Sequence, residues 1–166
     1  VVAIKQREKT TTARDVPFAY HLQEIVLPER KWHPNFKETG GSEYGLTEDL
    51  LADMLPRMFP AGTTSGTLRV GDLVVIGISG ELGVQLGLKI KDEAKKITGA
   101  KNPVIGGLAD EWLSYILTLE QYNLGQYEAS VSFYGPTLGD TIVNGALEGV
   151  KGLAAGKPFE AIKKVK

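Results

Sequence analysis

The run Leu73-Val74-Val75-Ile76-Gly77-Ile78-Ser79 limits the fold more than any other part of the chain. It shows no polar alternation, so a strand built from it needs cover on both faces. Gly80 breaks the pattern. From Glu81 to Ile97 the residues Leu82, Leu86, Ile90, Ala94 and Ile97 then recur at helical spacing, with Lys89, Lys91, Lys95 and Lys96 mostly outside. Gly99 closes that helix, and Asn102 to Leu108 reads as a short apolar strand. Strand, helix and strand over residues 73–108 leave enough chain for a parallel crossover. The expected fold is mixed α/β, a β–α–β core with flanking helices.

The remaining segments are arranged around that core. Residues 1–14 are polar and threonine-rich, which predicts an extended arm preceding a single domain over 15–166. Val16 to Leu27 is strand-like, with Pro17 pointing to an edge or a strand start. Pro28 and Pro34 bracket a loop carrying Trp32-His33-Pro34, and Gly40-Gly41-Ser42 reads as a second break. Leu46 to Leu55 predicts a helix capped by Thr47, with acidic residues in its first turn and Pro56 as its stop. Gly62 to Gly66 reads as a flexible turn. Thr67 to Val70 and the run after Gly71-Asp72 predict a β-hairpin. Trp112 to Leu119 is expected to be extended. Thr137 to Ala155 has helical spacing interrupted by Gly145, Gly149 and Gly152, and Pro158 opens a short helix over 159–165.

Composition excludes several classes. The 166 residues carry 19 basic and 20 acidic side chains, so no basic surplus points to nucleic acid or anionic membrane. Lys163, Lys164 and Lys166 read as a solvated tail. With no cysteine there is neither a disulfide framework nor a thiolate metal site. No apolar run reaches the roughly 20 residues of a transmembrane helix. The opening Val1-Val2-Ala3, without Met, reads as a mature or trimmed start.

Chemistry-bearing residues concentrate between Gly80 and Pro136. Glu81 lies where a buried strand ends, a place where ligands collect in α/β sheets; alternatively it serves the free N–H groups of the helix it opens. Tyr115, Tyr122, Tyr127 and Tyr134 lie close together in sequence, with Glu120, Gln121, Gln126 and Glu128 among them. Such phenols line a groove or fill a core with their polar tips near water. His33 fits a structural histidine, and His21 carries no motif. Gly77-Ile78-Ser79-Gly80-Glu81 lacks the second glycine and the histidine partner of a serine-nucleophile elbow.

These segments together resemble a known family. Gly71-Asp72-Leu73-Val74-Val75, Gly80-Glu81-Leu82, Tyr115-Ile116-Leu117-Thr118-Leu119-Glu120-Gln121-Tyr122, Gln126-Tyr127-Glu128-Ala129-Ser130 and Tyr134-Gly135-Pro136-Thr137-Leu138 resemble, in order, the neutral/alkaline (non-lysosomal) ceramidases. Trp32-His33-Pro34 is similar to a segment preceding this region in that family. The resemblance implies the C-terminal part of a larger layered sheet-and-helix catalytic domain, a zinc enzyme cleaving the amide bond of ceramide, and a secreted or cell-surface location. By match, Glu81 and Tyr115 would be zinc ligands, and Tyr127 would stabilise the developing oxyanion.

The chain also departs from that family's pattern. The family's two zinc histidines and its catalytic serine belong to a long N-terminal region that nothing here matches. The usual Gly-Glu-Phe-Thr-Thr is replaced by Gly80-Glu81-Leu82-Gly83-Val84. The chain is thus expected to carry a zinc half-site. It would need the missing N-terminal catalytic segment or a second chain, and its substrate would be a lipid. The alternatives are a catalytically silent scaffold that binds or self-assembles as a homo-oligomer, and an unrelated protein sharing only the scaffold.

Overall fold

The computed structural model describes residues 15–156. The expected N-terminal arm, the helix over 159–165 and the terminal lysines lie outside the described residues. Four strands form the main sheet in the order β1-β2-β3-β5: β1 (Phe18–Val26), β2 (Gly62–Val70), β3 (Leu73–Ile78) and β5 (Asn102–Gly107). The first three pair antiparallel, whereas β3 and β5 run parallel, with Leu73 opposite Asn102 and Ile78 opposite Gly107. The crossover between them contains the helix α3 (Val84–Thr98). This is the β–α–β unit expected from the sequence. Gly71, at φ 60, makes the tight turn that sets Val70 opposite Leu73.

Several local expectations are corrected. Gly62 to Gly66 is the first half of β2, not a turn, and it pairs with β1 from Val26↔Gly62 to Leu22↔Gly66. Its alternating Thr63, Ser65 and Thr67 are buried, and nine register pairs hold a strand that glycine and serine alone would not favour. Gly40-Gly41-Ser42 begins a short helix, α1 (Gly40–Tyr44), where a Cβ on Gly41 would lie 2.7 Å from the Phe36 ring. The next helix, α2 (Glu48–Met58), is capped by Thr47 as predicted but continues past Pro56. Proline removes one hydrogen bond, and burial of Leu55 and Phe59 on either side outweighs that loss. Residues 81 and 82 form a two-residue strand, β4 (Glu81–Leu82), so the helix starts later, after Gly83. Of the expected extended segment 112–119, only β6 (Tyr115–Ile116) is a strand.

The last long helix, α6 (Leu138–Ala154), crosses β1, β2 and β3 and packs on α3. Its glycines let it lie close: a Cβ on Gly139, Gly145 or Gly152 would run into the Leu117 carbonyl, the Ile25 side chain or the His21 ring. The core sits between these helices and Val74, Ile76 and Ile78, each at most 1% exposed. Among the described residues no helix covers the opposite sheet face. Phe18, Tyr20, Val26, Val70, Leu73 and Val104 there are all large exposed hydrophobics, with Val26 at 84%.

Gly139→Ala puts a methyl against a backbone carbonyl that has nowhere to move. It should destabilise the chain by about 1–3 kcal/mol despite alanine's higher helix propensity, read as a lower urea midpoint with an unchanged slope.

Candidate active site

Two short strands bring the distant segments together. β4 and β6 pair in parallel with Glu81 opposite Tyr115 and Leu82 opposite Ile116. The Glu81 N–H donates to the Ser114 carbonyl at 3.0 Å and the Gly83 N–H to the Ile116 carbonyl at 2.9 Å. Gly80 permits this approach, since a Cβ there would lie 2.8 Å from both the Ser114 carbonyl and the Ile116 side chain. Leu113 and Ile116, fully buried, anchor the second strand beneath.

Glu81 and Tyr115 open onto one cleft of about 440 Å³ with a mixed lining, in which Gln121, Gln126 and Glu128 stand beside Leu82, Leu117 and Leu124. Gln121 is fixed in place: it belongs to the capping box of α4 (Leu119–Leu124), bonding reciprocally with Thr118. Tyr127 stands at the start of α5 (Tyr127–Ser130), its ring edge-on to Tyr115 with centroids 6.3 Å apart. It lines a second space of about 220 Å³ beside the cleft. That space is apolar, walled by Leu51, Met54, Met58, Phe59 and Phe133 together with Tyr115 and Trp112. Glu81 and Tyr115 therefore share one cleft, Tyr115 and Tyr127 share the adjoining cavity, and Tyr115 belongs to both.

The other candidates have structural places. Tyr122 and Tyr134 are buried at 6% and 1% exposure. Tyr134 donates to the Pro60 carbonyl at 2.8 Å, and burial pushes both phenols above the ordinary tyrosine range. His33 is a cap: its Nδ1 accepts from the Asn35 N–H at 3.0 Å, and its ring stands edge-on to Tyr122. Ser79 lies buried against Thr63, hydroxyl to hydroxyl at 2.9 Å. His21 sits under Gly152 in the sheet–helix interface.

Sequence reasoning missed Trp112. Its indole N–H donates to the Glu81 Oε1 at 3.3 Å. The loop that carries it has three non-glycine residues in the left-handed region, Leu108 (φ 56), Asp110 (φ 68) and Ser114 (φ 71). Each such conformation costs about 1–3 kcal/mol unless its surroundings impose it. Hydrogen bonds at both ends do so here: Ala109 N–H to the Ile78 carbonyl, Leu113 N–H to the Ser79 carbonyl, and the Ser114 hydroxyl to the Val131 carbonyl. No residue spacing announces such a loop.

Comparison with known proteins gives a consistent family. The model of the neutral/alkaline non-lysosomal ceramidase N-terminal region matches residues 53–144. Neutral ceramidase of Oryza sativa subsp. japonica is 30% identical over 77 residues, covering 42% of this chain and 10% of that protein. Neutral ceramidase 3 of Arabidopsis thaliana is 33% identical over 75 residues, covering 42% and 10%. Neutral ceramidase of Pseudomonas aeruginosa is 32% identical over 71 residues, covering 41% and 11%. The chain thus spans about a tenth of the length of these relatives. In fold it is similar to the solved neutral ceramidase from Pseudomonas aeruginosa, with TM-score 0.65, 18% identity, and coverage of 88% of this chain and 30% of that one. A ceramidase complexed with C2 gives 0.67, 17%, 87% and 31%.

This geometry makes two measurable differences. Gly80→Ala should push β4 from β6, so that amide exchange at Glu81 and Gly83 quickens while the β1–β2 ladder keeps its protection. For Tyr134, a folded-state pKa above the unfolded value of 10.0 means that the unfolded chain loses its proton first. Its contribution to stability is whole below that pH and declines above it, so Tyr134→Phe should flatten the alkaline fall in urea midpoint.

Proposed function

Because the chain belongs to the neutral/alkaline non-lysosomal ceramidase family, we propose that it supplies part of a zinc-dependent amidohydrolase site for N-acyl lipids of the ceramide type. The observation that carries this reading is the double membership of Tyr115, which walls both the mixed cleft holding the Glu81 carboxylate and the apolar cavity of Tyr127. An amphiphile with an amide between a polar head and a hydrocarbon chain fits such a boundary, the head in the cleft and the chain in the cavity.

Glu81 and Tyr115 face each other in strand register and line one cleft, and their carboxylate and phenol oxygens are donor types that suit zinc. Among the described residues, no three His, Cys, Asp or Glu side chains gather closely enough to hold an ion. The two donors are half of a tetrahedral set. We assign the other half, with the nucleophile, to the remainder of a ceramidase catalytic domain, carried by a preceding segment or a partner chain. When bound, zinc would polarise the scissile carbonyl and acidify water. This chain's own part is to hold the carboxylate and phenol in register, and to offer the Tyr127 hydroxyl as donor to the carbonyl oxygen as it gains charge. The apolar cavity excludes water from the acyl side of the bond.

The open sheet face favours a second reading on its own observation. A ceramidase-like scaffold that associates through Phe18, Val26 and Val104 needs no completed metal centre. Among the described residues no helix is long and apolar enough to cross a membrane. The cover assigned to the face under this reading is a second copy of the chain.

Native material distinguishes the two. Under the hydrolase reading, zinc and a second polypeptide or segment copurify with the chain in fixed ratio, and the assembly releases fatty acid from an N-acyl sphingoid amide. Glu81→Gln should lose both zinc and turnover. Tyr127→Phe should keep zinc and lose about 100- to 1,000-fold in kcat, the usual effect of removing one oxyanion donor. Metal-free oligomers of this one chain, without turnover, would establish the scaffold instead.

A further inference from the structure

Trp112 both bonds to Glu81 and walls the apolar cavity. Its indole N–H meets the Glu81 Oε1 at 3.3 Å, and its ring lies 6.0 Å from that of Phe59, centroid to centroid, inside the cavity wall. The backbone on both sides is held in left-handed conformations at Leu108, Asp110 and Ser114. The loop is tied down at Ala109, Leu113 and Ser114, which confines where the indole can go. Trp112 itself is half exposed, at 50%, so a ligand chain entering the cavity can reach it.

We propose that Trp112 is a positioning residue that couples the two halves of the site: it orients the Glu81 carboxylate, and an acyl chain filling the cavity shifts that orientation through the indole. The proposal rests on the lipid-amide reading of the site and adds a link within it. One oxygen of a carboxylate that lines the cleft is engaged by the indole. Displacement of the ring by a hydrocarbon chain then acts on a group that does not touch that chain. Coupling of this kind is reciprocal, so a change at Glu81 must also alter how the cavity receives its ligand.

The chain carries its own reporters. It has two methionines, and both, Met54 and Met58, line the cavity. The probe is N-dodecanoylethanolamine, a neutral amide amphiphile, added to the full-length isotope-labelled chain. In the wild type it should move the Met54 and Met58 methyl resonances, the Trp112 indole N–H and the Glu81 side-chain carboxyl carbon. Trp112→Phe keeps an aromatic wall and removes the donor; the methyl resonances should still respond while Glu81 stays in place. Glu81→Ala leaves the indole without its acceptor, and solvent exchange of the indole proton should quicken. The proposal is overturned if Glu81 is silent in the wild type, with or without a methyl response. It is equally overturned if Glu81 responds as strongly in Trp112→Phe, or if Glu81→Ala leaves indole exchange unchanged. The hydrolase reading is judged separately, on zinc and turnover in native material, so either can fail while the other stands.

Discussion

The parallel pairing of β4 with β6 is the constraint on which the site depends. It places Glu81 opposite Tyr115 across more than thirty residues of intervening chain. The two backbone hydrogen bonds that flank the pair are worth about 0.5–1.5 kcal/mol each. That is too little to fix such a short ladder alone. Burial of Leu113 and Ile116, both at 0% exposure, contributes about 1.5–3 kcal/mol for each side chain. The apolar anchors therefore hold the segment, and the hydrogen bonds decide its register. Gly80 is the condition for both, because only a residue without Cβ lets the Ser114 carbonyl and Ile116 come so near.

The main sheet is finished on one side only. Toward α3 and α6 the packing is dense, and glycines in α6 bring its backbone down onto β1 and β2. On the other side, large apolar residues stand exposed on β1, β2, β3 and β5 alike. A strand like β3 draws its composition from cover on both faces, and the structural relatives contain about three times the chain that is matched here. The exposed face is thus the side on which these residues do not themselves supply the cover that the composition of β3 calls for.

Legibility in the sequence depends on where the chain carries period. The β3–α3–β5 unit can be read because an unbroken β-branched run, a helical stripe and a second apolar run have few other interpretations. The first half of β2 cannot, since Gly62-Thr63-Thr64-Ser65-Gly66 has turn composition and becomes a strand only through nine residues of pairing with β1. Tyr20 compensates for the missing side chain at Gly66: its hydroxyl would lie 3.2 Å from a Cβ there. Glu81 reads from sequence as helix rather than strand, because two residues are too few to show any period. Its partnership with Tyr115 is visible only through family resemblance. Trp112 has little signal, since left-handed geometry suits the residue type only at Asp110, not at Leu108 or Ser114.

The tyrosines show why composition alone does not locate the chemistry. Four of them crowd one stretch of sequence, yet the fold sorts them by depth. Tyr122 and Tyr134 are drawn into the core, where desolvation keeps their phenols neutral and a hydroxyl such as that of Tyr134 ties one loop to another. Tyr115 stays between the mixed cleft and the apolar cavity, and Tyr127 stands edge-on to it in that cavity. The same side chain is thus a structural tether at one depth and a wall of an accessible cavity at another. Thr118 and the capping box it nucleates separate Tyr115 from Tyr122: the turn of α4 carries Tyr122 inward while leaving Tyr115 behind on the strand. Depth in the fold, not the density of hydroxyls along the sequence, therefore separates the buried phenols from the accessible ones.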